Sequence, residues 1–323
     1  MTVPRRVPSI VHGLRAIWGS RWTRRNTITG LLFVSPWLLG FLVFELYPIV
    51  ASGYYSLTKY SMTQPPEWVG LQNYIELFTD DPIFYTSLWN TFYYVVAFIS
   101  LSTVLAVGMA LLMNVKVRGI AFYRTLFYVP SIVPIVAASM LWIWVLNPQY
   151  GLMNTILGGI GLPRLGWLSS PVWSKPGLII MSLWGVGTPM LIYLAALQDI
   201  PQELYEAAVM DGANAVQKIR HVTIPLLTPA IFFNAVTQLI VAFQYFTPAY
   251  VMSTRWAGQA GGNPGGPVDS TVFYALLLYR YAFVYFKMGY ASAMAWILFV
   301  VVLVLTILLF RTSTRWVHYG GEA

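Results

Sequence analysis

Six stretches of this chain are apolar for long enough to cross a hydrocarbon layer, and most of the polar positions fall between them. They run from Ile28 to Val50, Thr91 to Met113, Leu126 to Leu146, Leu178 to Leu197, Leu226 to Met252 and Tyr290 to Phe310. Each comes close to the ~20 residues that carry a helix through roughly 30 Å of hydrocarbon. Pro36, Pro48, Pro130, Pro134, Pro189 and Pro248 lie inside these stretches. A spanning helix tolerates such residues where neighbouring helices or water bond to the freed backbone groups, so the pattern predicts a packed, all-α polytopic membrane bundle.

Composition narrows the function. Apolar residues make up 58% of the chain and charged ones 9%, too few charges for a soluble surface. Cysteine is absent and the three histidines, His12, His221 and His318, are far apart, so no metal site and no cofactor is expected. The net charge of +8 comes from cations beside the apolar spans, where lipid headgroups are the natural counter-charge and nucleic acid is not expected. Thirteen lysines and arginines fall on the side of the termini and six on the other, which places both termini in the cytoplasm. The expected organisation is a basic cytoplasmic segment over residues 1–27, a transmembrane domain over 28–311 and a cytoplasmic tail over 312–323. Ile10, Leu14, Ile17, Trp18 and Trp22 recur at helical spacing among arginines, which reads either as a helix lying on the membrane surface or as a disordered basic tail. A cleaved secretion signal is disfavoured because the first apolar run is too long.

The spans hold little chemistry. Proton-coupled carriers keep titratable groups in their spans, and the clearest one here is Glu45, near the end of the first. No paired acids and no nucleophile with its base are present, so no catalytic residue is assigned. The glycines from Gly258 to Pro267 lack a following Gly-Lys-Ser/Thr and read as a connector rather than a phosphate loop. Uphill transport would then draw its energy from another chain.

The inward loop over about 198–225 is the most patterned polar segment. Asp199 is expected to cap a first short helix, with Pro201 in its opening turn and Gly212 ending it. Asn214 and Gln217 have capping-box spacing for a second helix, and Pro225 is expected to break the chain before the next span. On these residues alone the pair is either a docking knob or an amphipathic linker lying on the bilayer.

The run Glu206-Ala207-Ala208, Asp211-Gly212-Ala213 and Ile224-Pro225 resembles the EAA loop of ABC-importer permeases, with Ile219, Val222 and Ile224 as mild departures. Phe33-Val34-Ser35-Pro36-Trp37, Trp68-Val69-Gly70-Leu71-Gln72-Asn73-Tyr74 and Tyr123 to Pro130 extend the likeness along the chain. They resemble carbohydrate-importer permeases of the maltose and glycerol-3-phosphate type, in the first-permease branch. The resemblance implies the type I permease fold. It also implies a second homologous permease, two copies of a cytoplasmic ATPase that binds the ATP, and an extracytoplasmic solute-binding protein. Glu206, Ala207, Ala208, Asp211, Gly212, Ala213 and Pro225 would then couple to the ATPase. The solute pocket would lie at mid-membrane near Trp184, Gly185, Thr188, Gln238 and Tyr245, although these residues could also serve packing alone. A non-carbohydrate solute is the nearest alternative, and a proton-coupled carrier a weaker one.

Overall fold

The computed structural model describes residues 21–115, 117–256 and 265–318, and it divides into two units, Met1–Tyr55 and Ser56–Ala323. The alternatives for the basic leader before residue 21 and most of the glycine-rich connector lie outside the described residues. The first unit is one apolar helical span: α1 (Arg21–Phe41), a π-helical turn (Leu42–Leu46) and the start of α2 (Tyr47–Ser56). At the turn the Tyr47 N–H bonds to the Leu42 carbonyl, one residue further back than in an α-helix, and Pro48 follows.

The second unit opens with a feature the apolar pattern did not predict, an antiparallel hairpin of β1 (Thr58–Ser61) and β2 (Gln64–Trp68) that pairs Thr58 with Trp68 and Lys59 with Glu67. The short helix α3 (Gln72–Thr79) is tied to the strand by Asn73, whose amide nitrogen donates to the carbonyls of Ser56 and Thr58 at 2.8 and 2.9 Å.

Helix α4 (Pro82–Met113) starts nine residues before the apolar run that announces it. Its start is set by Asp81 and by Pro82, whose missing N–H is no loss in a first turn. Asp81 Oδ1 accepts from the backbone of Ile83 and Phe84 at 3.0 and 3.1 Å, while Oδ2 accepts from the hydroxyls of Tyr281 at 2.6 Å and Tyr290 at 3.2 Å. Burial, and beside it the Asp81 carboxylate, hold the Tyr281 phenol above its ordinary range, so it remains a donor. One buried carboxylate thus joins the start of α4 to two later elements.

Three of the expected spans are interrupted. The third comprises α5 (Ile120–Ile132) and α6 (Ile135–Val145), bent by 99° at Val133-Pro134. Val133 is extended, as the residue before a proline prefers. After α7 (Leu152–Gly159), the fourth span comprises α8 (Ser174–Leu183) and α9 (Gly187–Gln198), bent by 47°. The fifth expected span, Leu226 to Met252, is not one helix: α12 (Ile224–Phe243) stops and α13 (Thr247–Trp256) begins after a break at 244–246. Between α9 and α12 lie α10 (Gln202–Met210) and α11 (Ala215–Lys218). The stretch after α13 contains a further apolar segment, α14 (Tyr274–Tyr279) with a π turn over Arg280–Val284, before α15 (Met288–Ser313). Counting each bent pair as one span leaves six crossings.

Helix α4 runs through all three apolar cores. Phe84 packs with Leu77, Tyr274 and Met294, and Tyr94 and Val95 pack with Leu178, Phe243 and Phe273. Ala106 and Ala110, small residues one turn apart that admit a neighbouring helix closely, pack with Met190, Tyr193, Leu197 and Leu227. The α9–α10 connection therefore sits at the Met113 end of α4, and the hairpin, α3 and the start of α15 sit at the Pro82 end.

Replacing Asp81 with alanine removes four hydrogen bonds to a buried carboxyl group and should destabilise the detergent-solubilised protein by about 3 kcal/mol. Asp81→Asn keeps an oxygen for the cap and should cost less. The order of the two thermal unfolding midpoints checks this.

Candidate functional site

The segment between α9 and α12 forms a helical knob at one end of the bundle. Asp199 does not cap its first helix, contrary to expectation. It closes α9, donating its N–H to the Ala195 carbonyl, while Pro201 occupies the position before α10. A proline there orients the chain with φ −57° and ψ 133° but offers no side-chain acceptor. At the other end of α10, Gly212 adopts φ +77°. Its N–H bonds to Val209 O at 3.0 Å and that of Ala213 to Ala208 O at 2.9 Å, the paired closure of a Schellman motif. Asn214 then caps α11, and Gln217 completes the capping box at 2.8 and 2.9 Å.

Pro225 does not break the chain. Residues Ala215–Phe243 form one continuous helix, because a π turn at Ile219–Thr223 precedes the proline and the Ile224 N–H reaches back to Ile219 O. The hydroxyls of Tyr205 and Thr223, 3.0 Å apart, tie α10 to that turn. Glu206, Ala207, Asp211 and Gly212 are exposed, while Ala208, Ala213 and Pro225 are half-buried. Leu204, Val209, Val216 and Met210, the last 89% exposed, surround them with apolar surface.

The second feature is a cavity of about 370 Å³ where the three interruptions meet. Val133 from the α5–α6 bend, Trp184 and Gly185 from the α8–α9 bend, and Gln244, Tyr245 and Phe246 from the α12–α13 break all line it. Tyr94 of α4 stacks on Tyr245 with ring centroids 4.1 Å apart and donates to Ser182 Oγ at 2.9 Å. Ser182 Oγ lies 2.9 Å from Leu178 O and 3.4 Å from the Tyr245 hydroxyl, so its one proton has two competing acceptors. The lining offers aromatic faces, hydroxyls and one amide, and no charged side chain among the described residues.

Of the residues expected near mid-membrane, Trp184, Gly185, Thr188 and Tyr245 line this cavity. Gln238 does not, and its Oε1 accepts from Ser102 of α4 at 2.7 Å, a bond between neighbouring helices. Tyr94, Ser131, Ser182 and Gln244 line it too, without having been singled out. Gln244 was detectable as the amide in the aromatic run Phe243-Gln244-Tyr245-Phe246 just before Pro248. Tyr94 and Ser182 carry no such signal, since they meet only through the crossing of α4 and α8.

Comparison with known proteins agrees with this architecture. Residues 102–318 match the family model described as binding-protein-dependent transport system inner membrane component. The chain belongs to that family. It is 43% identical over 313 residues to the probable ABC transporter permease protein YesP of Bacillus subtilis (strain 168), covering 96% of this chain and 98% of the relative. It is 32% identical to the trehalose/maltose transport system permease protein MalF of Thermococcus litoralis, covering 91% and 96%. Among solved structures, it superposes with a TM-score of 0.76 and 25% identity on a chain of a bacterial ABC transporter that imports the acidic polysaccharide alginate, covering 92% of this chain and 99% of that one. The fold is the type I ABC importer permease fold, and the protein is a multi-pass inner-membrane component.

In this permease the cavity depends on a close crossing beside it. A Cβ at Gly187 would stand 2.5 Å from Phe127 O and 2.8 Å from Tyr128 Cα, both backbone atoms of α5, whereas one at Gly185 would meet only Ser182 O at 3.6 Å. Gly187→Ala should therefore destabilise the protein by about 1–3 kcal/mol through overpacking, and Gly185→Ala should leave stability nearly unchanged. Unfolding midpoints of the two variants in detergent check the contrast.

Proposed function

We propose that this chain is one permease half of an importer for a sugar or sugar-like solute. Both termini lie in the cytoplasm, and the knob around Glu206 and Gly212 docks on a separate ATPase that binds the ATP. A second, homologous permease completes the pathway, each half engages one copy of the ATPase, and an extracytoplasmic protein delivers the solute.

The observation that carries the reading is the uncharged, aromatic and hydroxyl-lined cavity at the three helix breaks. Non-helical backbone at membrane depth is tolerated where it lines such a space, and transporters build their sites from discontinuous spans. Aromatic faces such as those of Trp184 and Tyr245 suit the apolar face of a sugar ring, while Ser182, Thr188 and Gln244 supply hydroxyls and an amide for its hydroxyls. Relatives named for trehalose/maltose and for lactose transport support the solute class.

The knob has the form of a docking element. Schellman and capping-box closures hold its turn without outside help, and small residues lie among exposed apolar ones. A carboxylate at Glu206 is available to a cation on the ATPase. Gly212 is the position where geometry demands glycine, since other L-residues pay roughly 1–2 kcal/mol in the left-handed region and asparagine pays least.

Two results test the proposal in proteoliposomes containing the complete transporter and its binding protein. Gly212→Val should lower ATP-driven sugar uptake about tenfold or more at unchanged abundance, and Gly212→Asn should retain most of it. Trp184→Ala should lower uptake in an intact, ATP-hydrolysing complex by about tenfold as well. Normal uptake in Gly212→Val, or uptake abolished by collapsing the proton gradient alone, would overturn the reading.

A further inference from the structure

A second cleft, of about 440 Å³, lies between the β1–β2 hairpin, α3 and the turn at Tyr285–Lys287, at the end of the bundle opposite the knob. Its lining includes Lys59, Gln64, Gln72, Asn73, Phe286 and Lys287, and it has no part in the mid-membrane cavity. We propose that this cleft is a docking socket for the solute-binding protein and receives a surface loop bearing a carboxylate. The inference rests on the importer reading above, which makes the end opposite the knob the extracytoplasmic one.

Three observations carry it. The first is the charge balance. Lys59 makes no ion pair among the described residues, and Lys287, whose ammonium lies 6.0 and 5.5 Å from the Tyr281 and Tyr290 ring centroids, makes one half-exposed ion pair, with Glu76 at 3.7 Å, so one carboxylate lines the cleft against two ammonium groups. Half-exposed pairs of this kind are weak, which leaves both cations available to a partner. The second is a strained residue on the rim. Phe286 holds φ +55° without being glycine, pinned by the N–H groups of Tyr285 and Lys287 bonded to Arg280 O at 2.9 Å and Tyr281 O at 2.8 Å, and the residue is 49% exposed. Packing does not explain holding an aromatic ring outward at that cost, whereas an interface does. The third is rigidity. Asn73 clamps α3 to the hairpin, and the Asp81 bonds to Tyr281 and Tyr290 fix the opposite wall, so the socket is formed before any partner arrives. A preformed cationic socket steers an acidic partner and fixes its register.

The test uses the complete transporter in proteoliposomes, with ATP hydrolysis followed against the concentration of its purified binding protein. Lys59 stands opposite Glu67 in the hairpin, so Lys59→Gln also removes a cross-strand neighbour. The charge swap Lys59→Glu with Glu67→Lys keeps that pairing and reverses the charge at the cleft, because Glu67 does not line it. Docking predicts that both variants raise the half-saturating binding-protein concentration about tenfold and flatten its dependence on salt, with the rate at saturation retained. If the swap restores wild-type behaviour, hairpin pairing alone is responsible and the socket is overturned. The socket is overturned equally if neither variant moves the half-saturating concentration, or if only the saturated rate falls. A wild-type complex whose hydrolysis the binding protein does not stimulate at all would instead refute the importer reading, and the socket with it.

Discussion

Inside a hydrocarbon layer every backbone N–H and C=O that leaves a helix must be bonded elsewhere, and the prolines of this chain show how that constraint is met. Pro134, Pro189 and Pro248 stand at the cap or within the first three residues of α6, α9 and α13, where a missing N–H forfeits no intrahelical bond. Pro48 and Pro225 each follow a π turn that passes the ladder across the proline without ending the helix. The first group stands at interruptions within spans and the second continues the helix unbroken. The three terminations converge on one cavity, so the place where the chain gives up helical bonding is also the place a polar solute could reach.

The spans were legible in the sequence because apolar length is a property of composition alone. Their interruptions were not. Hydropathy stays high from Leu226 to Met252, and the break at Gln244–Phe246 shows only as an amide and a nearby proline. The capping box at Asn214 and the turn at Gly212 could be read from spacing because both are local. Asp199 failed as a cap because α9 extends to Gln198 and uses it as the closing residue. Gln238 and Tyr245 lie seven residues apart and appeared equivalent by depth, yet the break between them turns Tyr245 into the cavity while Gln238 faces Ser102 on α4. The Asp81 cluster rests on contacts some two hundred residues apart, which no local pattern encodes.

Charge is distributed according to the cost of burying it. The proposed solute cavity is lined with rings, hydroxyls and an amide, groups that lose little when water leaves. The lysines stand in the cleft beyond the start of α4, where solvent carries part of their charge and a protein partner could carry the rest. Under the two proposals, selection of the partner and selection of the solute use different chemistry in separate clefts, and a change in one site need not disturb the other.

The continuous helix from Ala215 to Phe243 connects the proposed coupling knob to the proposed solute cavity. Its 29 residues span about 43 Å at 1.5 Å per residue, and it carries the knob's second helix at one end and abuts the break at Gln244 at the other. A helix of that length acts as a lever. A tilt of about five degrees, pivoting at the knob, moves the far end by about 4 Å. Tyr245 lies two residues beyond that end and stacks on Tyr94 of α4 at 4.1 Å between centroids. The Tyr94–Tyr245 stack thus joins α4 to the break at which this helix ends. Had Pro225 broken the helix, as proline ordinarily would, the knob could move without moving the cavity wall. The π turn at Ile219–Thr223 is what makes the two ends one body.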